Sequence, residues 1–193
     1  HLGCGERPGI EVNAVNKVVS TLFCKDRLTA RAQEFGLTPG YALDLTTGWD
    51  LDDLEQAEES AALQERCRPA LLLGSPRCTA FSTLLSFGTI RPETYEKLLE
   101  QCTRHLDLCV DSYWRQIGWQ AYFLHEAPNP ASSWKLPRMQ ELLGHPDVMY
   151  VRNDQCESGQ TSTSASAVVG PAMKTSGWAN NSECIAEELE QLQ

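Results

Sequence analysis

Basic residues are scarce in this chain: 16 Lys and Arg stand against 26 Asp and Glu, a formal net charge of −10 over 193 residues. Phosphate neutralisation dominates nucleic-acid affinity, so a chain this acidic lacks the broad basic face that DNA binders use, and its charge gives DNA little support as a partner. No apolar run approaches the roughly 18 residues of a membrane span, and no charged segment leads into a long apolar one as in a secretory signal. These absences argue against a membrane partner and for an intracellular protein, nuclear or cytoplasmic. The eight cysteines include no CxxC pair, and a chain of this length that is 41% hydrophobic can bury a core without staples. We therefore expect mostly buried, reduced thiols. No internal repeat and no second domain are apparent. The chain opens on His1 and not on Met, which we read as a processed chain or a fragment.

What is present alternates between two periodicities. Residues 1–16 form an irregular lead-in, and residues 17–193 read as a single domain. Lys17–Cys24 is β-branched and apolar, a first strand, and Lys25–Phe35 has helical spacing with Gly36 placed to end it. Tyr41–Leu45 is a second strand, followed by a turn at Thr46–Leu51 that holds at most a vestigial third. Asp53–Cys67 predicts a helix with Leu54, Ala57, Ala61 and Leu63 facing inward. Its acidic residues, like those of Glu183–Glu190, read as solvated faces. Leu71–Gly74 is a short strand, and Pro92–Gln116 the clearest helix, with Pro92 in its first turn and an apolar stripe from Tyr95 to Tyr113. Strands at Gln120–Glu126 and Val148–Arg152 bracket a helix at Pro137–Leu143. Residues 155–170, rich in Ser, Thr and Gly, read as a flexible excursion, and a strand at Met173–Asn180 precedes a helix capped by Ser182. Strand–helix alternation predicts an α/β fold, a mostly parallel sheet with helices on both faces.

One stretch carries the chemistry. The run Leu71-Leu72-Leu73 ends in Gly74-Ser75-Pro76, which leaves Cys78 just beyond the C-terminal end of a strand. In open α/β sheets that edge is where ligands bind. Asp44 and Glu126 fall at the ends of two other strands. A cysteine nucleophile beside a carboxylic acid can attack an electron-poor carbon while the acid serves an adjacent ring atom.

Gly74-Ser75-Pro76-Arg77-Cys78-Thr79-Ala80-Phe81-Ser82 resembles the catalytic loop of the cytosine-C5 DNA methyltransferases, a Gly-x-Pro-Pro-Cys-Gln-x-Phe-Ser pattern. Leu124-His125-Glu126-Ala127 is similar to that family's Glu-Asn-Val motif, and Leu22-Phe23-Cys24 to its first cofactor motif. The resemblance implies a Rossmann-like methyltransferase sheet that uses S-adenosylmethionine. It makes Cys78 the nucleophile toward C6 of a flipped cytosine and Glu126 its contact to the ring. It also assigns the cofactor to Phe23, Asp44, Asp50, Ser75 and Pro76: Asp44 would hold the ribose hydroxyls and Asp50 would lie near the adenine amino group. Lys25-Asp26 replaces the glycines of the cofactor motif, Arg77 and Thr79 replace the residues flanking the cysteine, and no Gln-x-Arg-x-Arg motif is found. Residues 35–47, 74–82 and 123–128, together with Ser133–Pro137 and Asp154–Cys156, also resemble a methyltransferase-related module of mobile-element polyproteins in fungi and algae.

Three other readings stay open. A catalytically inactive methyltransferase fold could serve as a binding or structural module, working beside other parts of a larger polyprotein. Cys78 with His125 could form a cysteine hydrolase, although no orienting Asn or Asp is evident. Cys102, His105 and Cys109 share a helix face, but the outer two are about 10 Å apart by helical rise, too far for one tetrahedral zinc, so core cysteines are the expectation and no metal site is assigned.

Overall fold

The chain alternates strand and helix from β1 to β5 and then doubles back once. In the computed structural model, which describes residues 17–82, 91–155, 159, 161–163, 169–171 and 174–191, β1 (Val18–Leu22) leads to the short helix α1 (Arg27–Arg31) and β2 (Thr38–Leu43). Next come α2 (Leu54–Cys67), β3 (Leu71–Gly74), α3 (Pro92–Gly118), β4 (Tyr122–Pro128), α4 (Pro137–Leu143) and β5 (Met149–Asp154). Two short strands, β6 (Thr161–Thr163) and β7 (Val169–Pro171), pair antiparallel inside the stretch read as an excursion. Then β8 (Thr175–Asn180) and α5 (Glu183–Glu190) follow. The lead-in 1–16 and most of the excursion lie outside the described residues.

The main sheet has the order β2-β1-β3-β4-β8-β5. The pairs among β2, β1, β3 and β4 are parallel, whereas β8 is antiparallel to both neighbours. The fold is therefore α/β with a mixed six-stranded sheet, parallel in its core. An entirely parallel end was not to be had, because β8 returns between β4 and β5 without a crossover helix. Register sorts the faces. Leu22, Leu72, Phe123 and Ala179 share the face covered by α3, where Tyr113 stacks on Phe123 with ring centroids 4.5 Å apart. Asn153, on the other face, reaches the Leu189 carbonyl of α5 at 3.4 Å. Helices thus lie on both faces.

Several boundaries moved, each for a local reason. The stretch expected as one helix at Lys25–Phe35 divides into α1 and a 3-10 turn at Ala32–Phe35, closed by Gly36 at φ 70°. The second strand ends at Leu43, because Asp44 leaves it to cap a 3-10 turn: its carboxylate accepts from Thr46 N at 2.9 Å, and Thr47 Oγ1 accepts from Asp44 N at 3.1 Å. No strand forms at Thr46–Leu51, so β2 is the sheet edge. β4 runs past Glu126 to Pro128 because β8 pairs with it from Leu124 to Pro128.

The correction in α2 concerns packing. Leu54, expected inside, is 75% exposed, while Ser60 and Gln64 are buried. Gln64 donates from Nε2 to the Ser112 carbonyl at 2.9 Å and accepts from Arg115 at 3.2 Å, so α2 docks on α3 through a satisfied amide. Cys24, Cys67, Cys78, Cys102 and Cys109 are not in disulfides, as expected, although only Cys102 and Cys109 of these are buried, and Cys184 is disulfide-bonded, the less favoured outcome. No helix among the described residues is long and apolar enough to cross a membrane.

Candidate functional site

The parallel strands β1, β2, β3 and β4 all end at one edge of the sheet. From β1 the chain passes to β2 on one side, then crosses back to β3 on the other, so the order reverses beside β1. Crevices at such reversals are the standard ligand sites of open α/β sheets. A cleft of about 190 Å³ opens there, lined by Phe23 beyond β1, Asp44, Trp49 and Asp50 beyond β2, and Ser75 and Arg77 beyond β3. Four of the five residues expected to hold a cofactor, Phe23, Asp44, Asp50 and Ser75, thus share one wall system. The fifth, Pro76, is buried next to Ser75 and is not among the lining residues.

The carboxylates are half-committed. Asp44 Oδ1 accepts from Thr46 N and Oγ1, and Asp50 Oδ1 accepts from Asp52 N at 3.1 Å. The Oδ2 atoms of both accept no hydrogen bond from the described residues, so each has an oxygen to offer a hydroxyl or amino donor. Phe23 sits at φ 53°, a backbone conformation that a β-carbon makes costly, on the order of 1–3 kcal/mol. Its amide bonds Leu43 O at 2.8 Å, and its ring stacks on His105 with centroids 4.4 Å apart, which together hold it.

The far wall comes from α3 and was not foreseen. His105 Nε2 lies 3.0 Å from Asp52 Oδ1, Arg104 donates to the same oxygen at 3.2 Å, and Gln101 donates to Asp52 Oδ2. Gln101 also accepts from Arg77 at 3.3 Å, which ties α3 to the cysteine loop. Burial opposes ionisation of Asp52, but the Gln101 hydrogen bond and the neighbouring His105 and Arg104 outweigh it and lower its pKa. His105 is lowered as well, because burial of its ring outweighs the attraction of Asp52. In the sequence, Cys102, His105 and Cys109 on one helix face read as core cysteines and a polar histidine. The two cysteines are indeed buried in the core, and His105 turns to the cleft.

Cys78 occupies the N-cap of a 3-10 turn at Thr79–Phe81 and is partly buried. Ser75 and Arg77 before it line the first cleft, whereas Ala80, Phe81 and Ser82 after it line a second, of about 370 Å³, with Tyr95, Trp134, Lys135 and Tyr150. The cysteine loop is the partition between them. Burial, and next the charge of Glu126, push the Cys78 thiol up, with Lys174 opposing.

Glu126 is an engaged carboxylate. Ser75 Oγ donates to its Oε2 at 2.8 Å; Ser176 Oγ donates at 2.7 Å and Lys174 Nζ at 3.3 Å to its Oε1. Burial raises its pKa, but these donors, led by Ser176, bring it below the ordinary value. Lys174 and Ser176 were not singled out in the sequence; the antiparallel course of β8 delivers them to this edge. His125, by contrast, points to the α3 face. It is fully buried, its Nδ1 lies 3.0 Å from Tyr113 Oη, and burial drives it down to about 4. Glu126 reaches the cysteine loop through Ser75, whereas His125 is buried on the α3 face and is not placed to be the base of Cys78.

Compared with protein-family models, with curated proteins and with solved structures, the chain matches none.

Proposed function

We propose that this domain binds S-adenosylmethionine in the cleft beyond β1, β2 and β3 and follows the cytosine-C5 DNA methyltransferase plan, Cys78 serving as nucleophile toward cytosine C6 and Glu126 as the ring contact. The observation that carries the reading is that Phe23, Asp44, Asp50 and Ser75, from three separate strand ends, line one cleft. The order reversal beside β1 supports a Rossmann-like reading of the sheet. The donor set fits a nucleoside without phosphates. Asp44 and Asp50 each have an oxygen open to hydroxyl or amino donors, and Phe23 offers a ring face. When bound, the cofactor supplies the methyl group. Cys78 would lose its thiol proton to solvent and add through sulfur to C6; once C5 carries the methyl group, the C5 proton would pass to solvent and the sulfur would leave C6 as thiolate. Glu126, oriented by Ser75 and Ser176, would take up a proton from solvent and contact the ring at N3.

A second reading is favoured by a specific observation. Glu126 is fully engaged by donors of its own chain, and the Cys78 thiol is raised, which suits a non-catalytic binding module beside other parts of a polyprotein. Calorimetry with S-adenosylmethionine decides first: saturable heat that Asp44→Asn weakens supports the cofactor cleft, and no heat at millimolar cofactor sinks it. With binding in hand, a mechanism-based cytosine analogue in DNA should form a covalent adduct that Cys78→Ser abolishes. An adduct that survives the substitution would remove Cys78 from the role, and no adduct with the unaltered protein would favour the binding module.

A further inference from the structure

Several donors converge on Glu126, but only one of them carries charge. Ser75 and Ser176 are neutral, and Gln155 Nε2 lies at 3.5 Å; Lys174 Nζ, at 3.3 Å from Oε1, is the cation. Neutral donors stabilise a carboxylate without cancelling its field. Ser75, which donates to Glu126 at 2.8 Å, stands three residues before Cys78 in the same loop, so that field reaches the thiol, where forming a thiolate near a carboxylate is disfavoured. Among the described residues, the ionisable groups acting on the Cys78 sulfur are Glu126 from β4, Lys174 from the start of the β8 segment and Cys102 from α3. Arg77 precedes Cys78 in the chain, but its guanidinium is turned to Thr79 at 3.4 Å and Gln101 at 3.3 Å. Lys174 is also half-exposed, so its charge is available from the solvent side without a deep desolvation cost.

We propose that Lys174 is a positioning residue of the Cys78 site: its ammonium group pairs with Glu126 and so lets a Cys78 thiolate form beside that carboxylate. The antiparallel insertion of β8 is what makes this possible, because it brings the start of a strand to the edge where β4 ends. The inference rests on the reading that Cys78 and Glu126 form one site. Its test needs neither cofactor nor DNA, so it can fail while cofactor binding stands, and the reverse.

The test is the rate at which iodoacetamide alkylates Cys78 in the whole domain, followed by peptide mass spectrometry, with the exposed Cys67 as internal reference. The thiolate displaces iodide, so the rate at a fixed pH reports the thiolate fraction. At about pH 8, Lys174→Gln should slow Cys78 by about threefold or more, with Cys67 unchanged, and the gap should shrink as salt is added. Lys174→Arg should restore the rate. Glu126→Gln should speed Cys78, and in that background Lys174→Gln should have a smaller effect, because the two residues are coupled. Cys78 alkylated equally fast in Lys174→Gln and the unaltered protein, or slowed equally by Lys174→Arg, would overturn the proposal. So would an undiminished effect of Lys174→Gln in the Glu126→Gln background.

Discussion

Gly74 is the last residue of β3, immediately before the cysteine loop, and the space around it makes a sharp prediction. A β-carbon at this position would stand 2.0 Å from Tyr113 Oη and 3.1 Å from both Tyr113 Cζ and Cys109 Sγ. Neither neighbour can yield freely. Tyr113 is fully buried, stacked on Phe123 at 4.5 Å and paired with His125 Nδ1 at 3.0 Å, while Cys109 is equally buried. Gly74→Ala must therefore displace the tyrosine or bend the strand end. Overpacking of this kind costs about 1–3 kcal/mol. Breaking the Tyr113–His125 contact adds about 1–3 kcal/mol, because His125 Nε2 already has no partner and the ring would then be wholly unsatisfied. We expect a total of about 2–6 kcal/mol from urea unfolding, a large part of the 5–15 kcal/mol typical of a domain. Tyr113→Phe supplies the control. It should destabilise the unaltered protein, yet cost less in the Gly74→Ala background, since it removes the atom that clashes. Equal costs in both backgrounds would refute the argument, and so would a Gly74→Ala loss under about 1 kcal/mol.

Two further outcomes follow from the same geometry. Because Glu126 is held below its ordinary pKa in the fold, its contribution to stability is fully present above its unfolded pKa, about 4.3, and is lost as pH falls through the lower folded value. Urea unfolding should therefore show Glu126→Gln destabilised at neutral pH and the gap narrowing in acid; a gap independent of pH would mean that the carboxylate charge is not what Ser176 and Lys174 hold. On α2, Gln64→Ala should cost about 1–3 kcal/mol by stranding the Ser112 carbonyl and Arg115, whereas Leu54→Ala should stay within about 0.5 kcal/mol. The opposite ranking would show that the apolar face of this helix is the buried one.

Where local chemistry decides an element, the sequence was readable. The unbroken Leu71–Leu73 run gave β3, Pro92 and the long 3.6-residue stripe gave α3, and Ser182 caps α5 by accepting from Ile185 N at 3.4 Å. Asp44 was found because a polar residue after an apolar strand marks the sheet edge, whereas Glu126, expected at a strand end, lies inside β4. What failed required knowing a partner. The polar face of α2 is buried only because Ser112, Arg115 and Gln116 of α3 satisfy Gln64, some fifty residues away, and no periodicity can show that. The direction of β8 was equally invisible, since strand propensity does not encode parallel or antiparallel pairing.

That blind spot bears directly on chemistry. The residues named from the sequence, Cys78 and Glu126, describe a thiol facing a carboxylate, an arrangement that disfavours the thiolate. Only the return of β8 beside β4 adds Lys174 and Ser176 to the pair, and only the packing of α3 adds Asp52, Gln101 and His105 to the cleft on the other side of the loop. A motif at a strand end thus identifies which groups can react, while the long-range pairings set their charge state. On the proposal that Lys174 positions the Cys78 site, chemistry at Cys78 would depend on how much of the Glu126 charge Lys174 cancels. A site that reads as degenerate one residue at a time would then still form a thiolate, and the alkylation rates of Lys174→Gln and Lys174→Arg test that capacity directly.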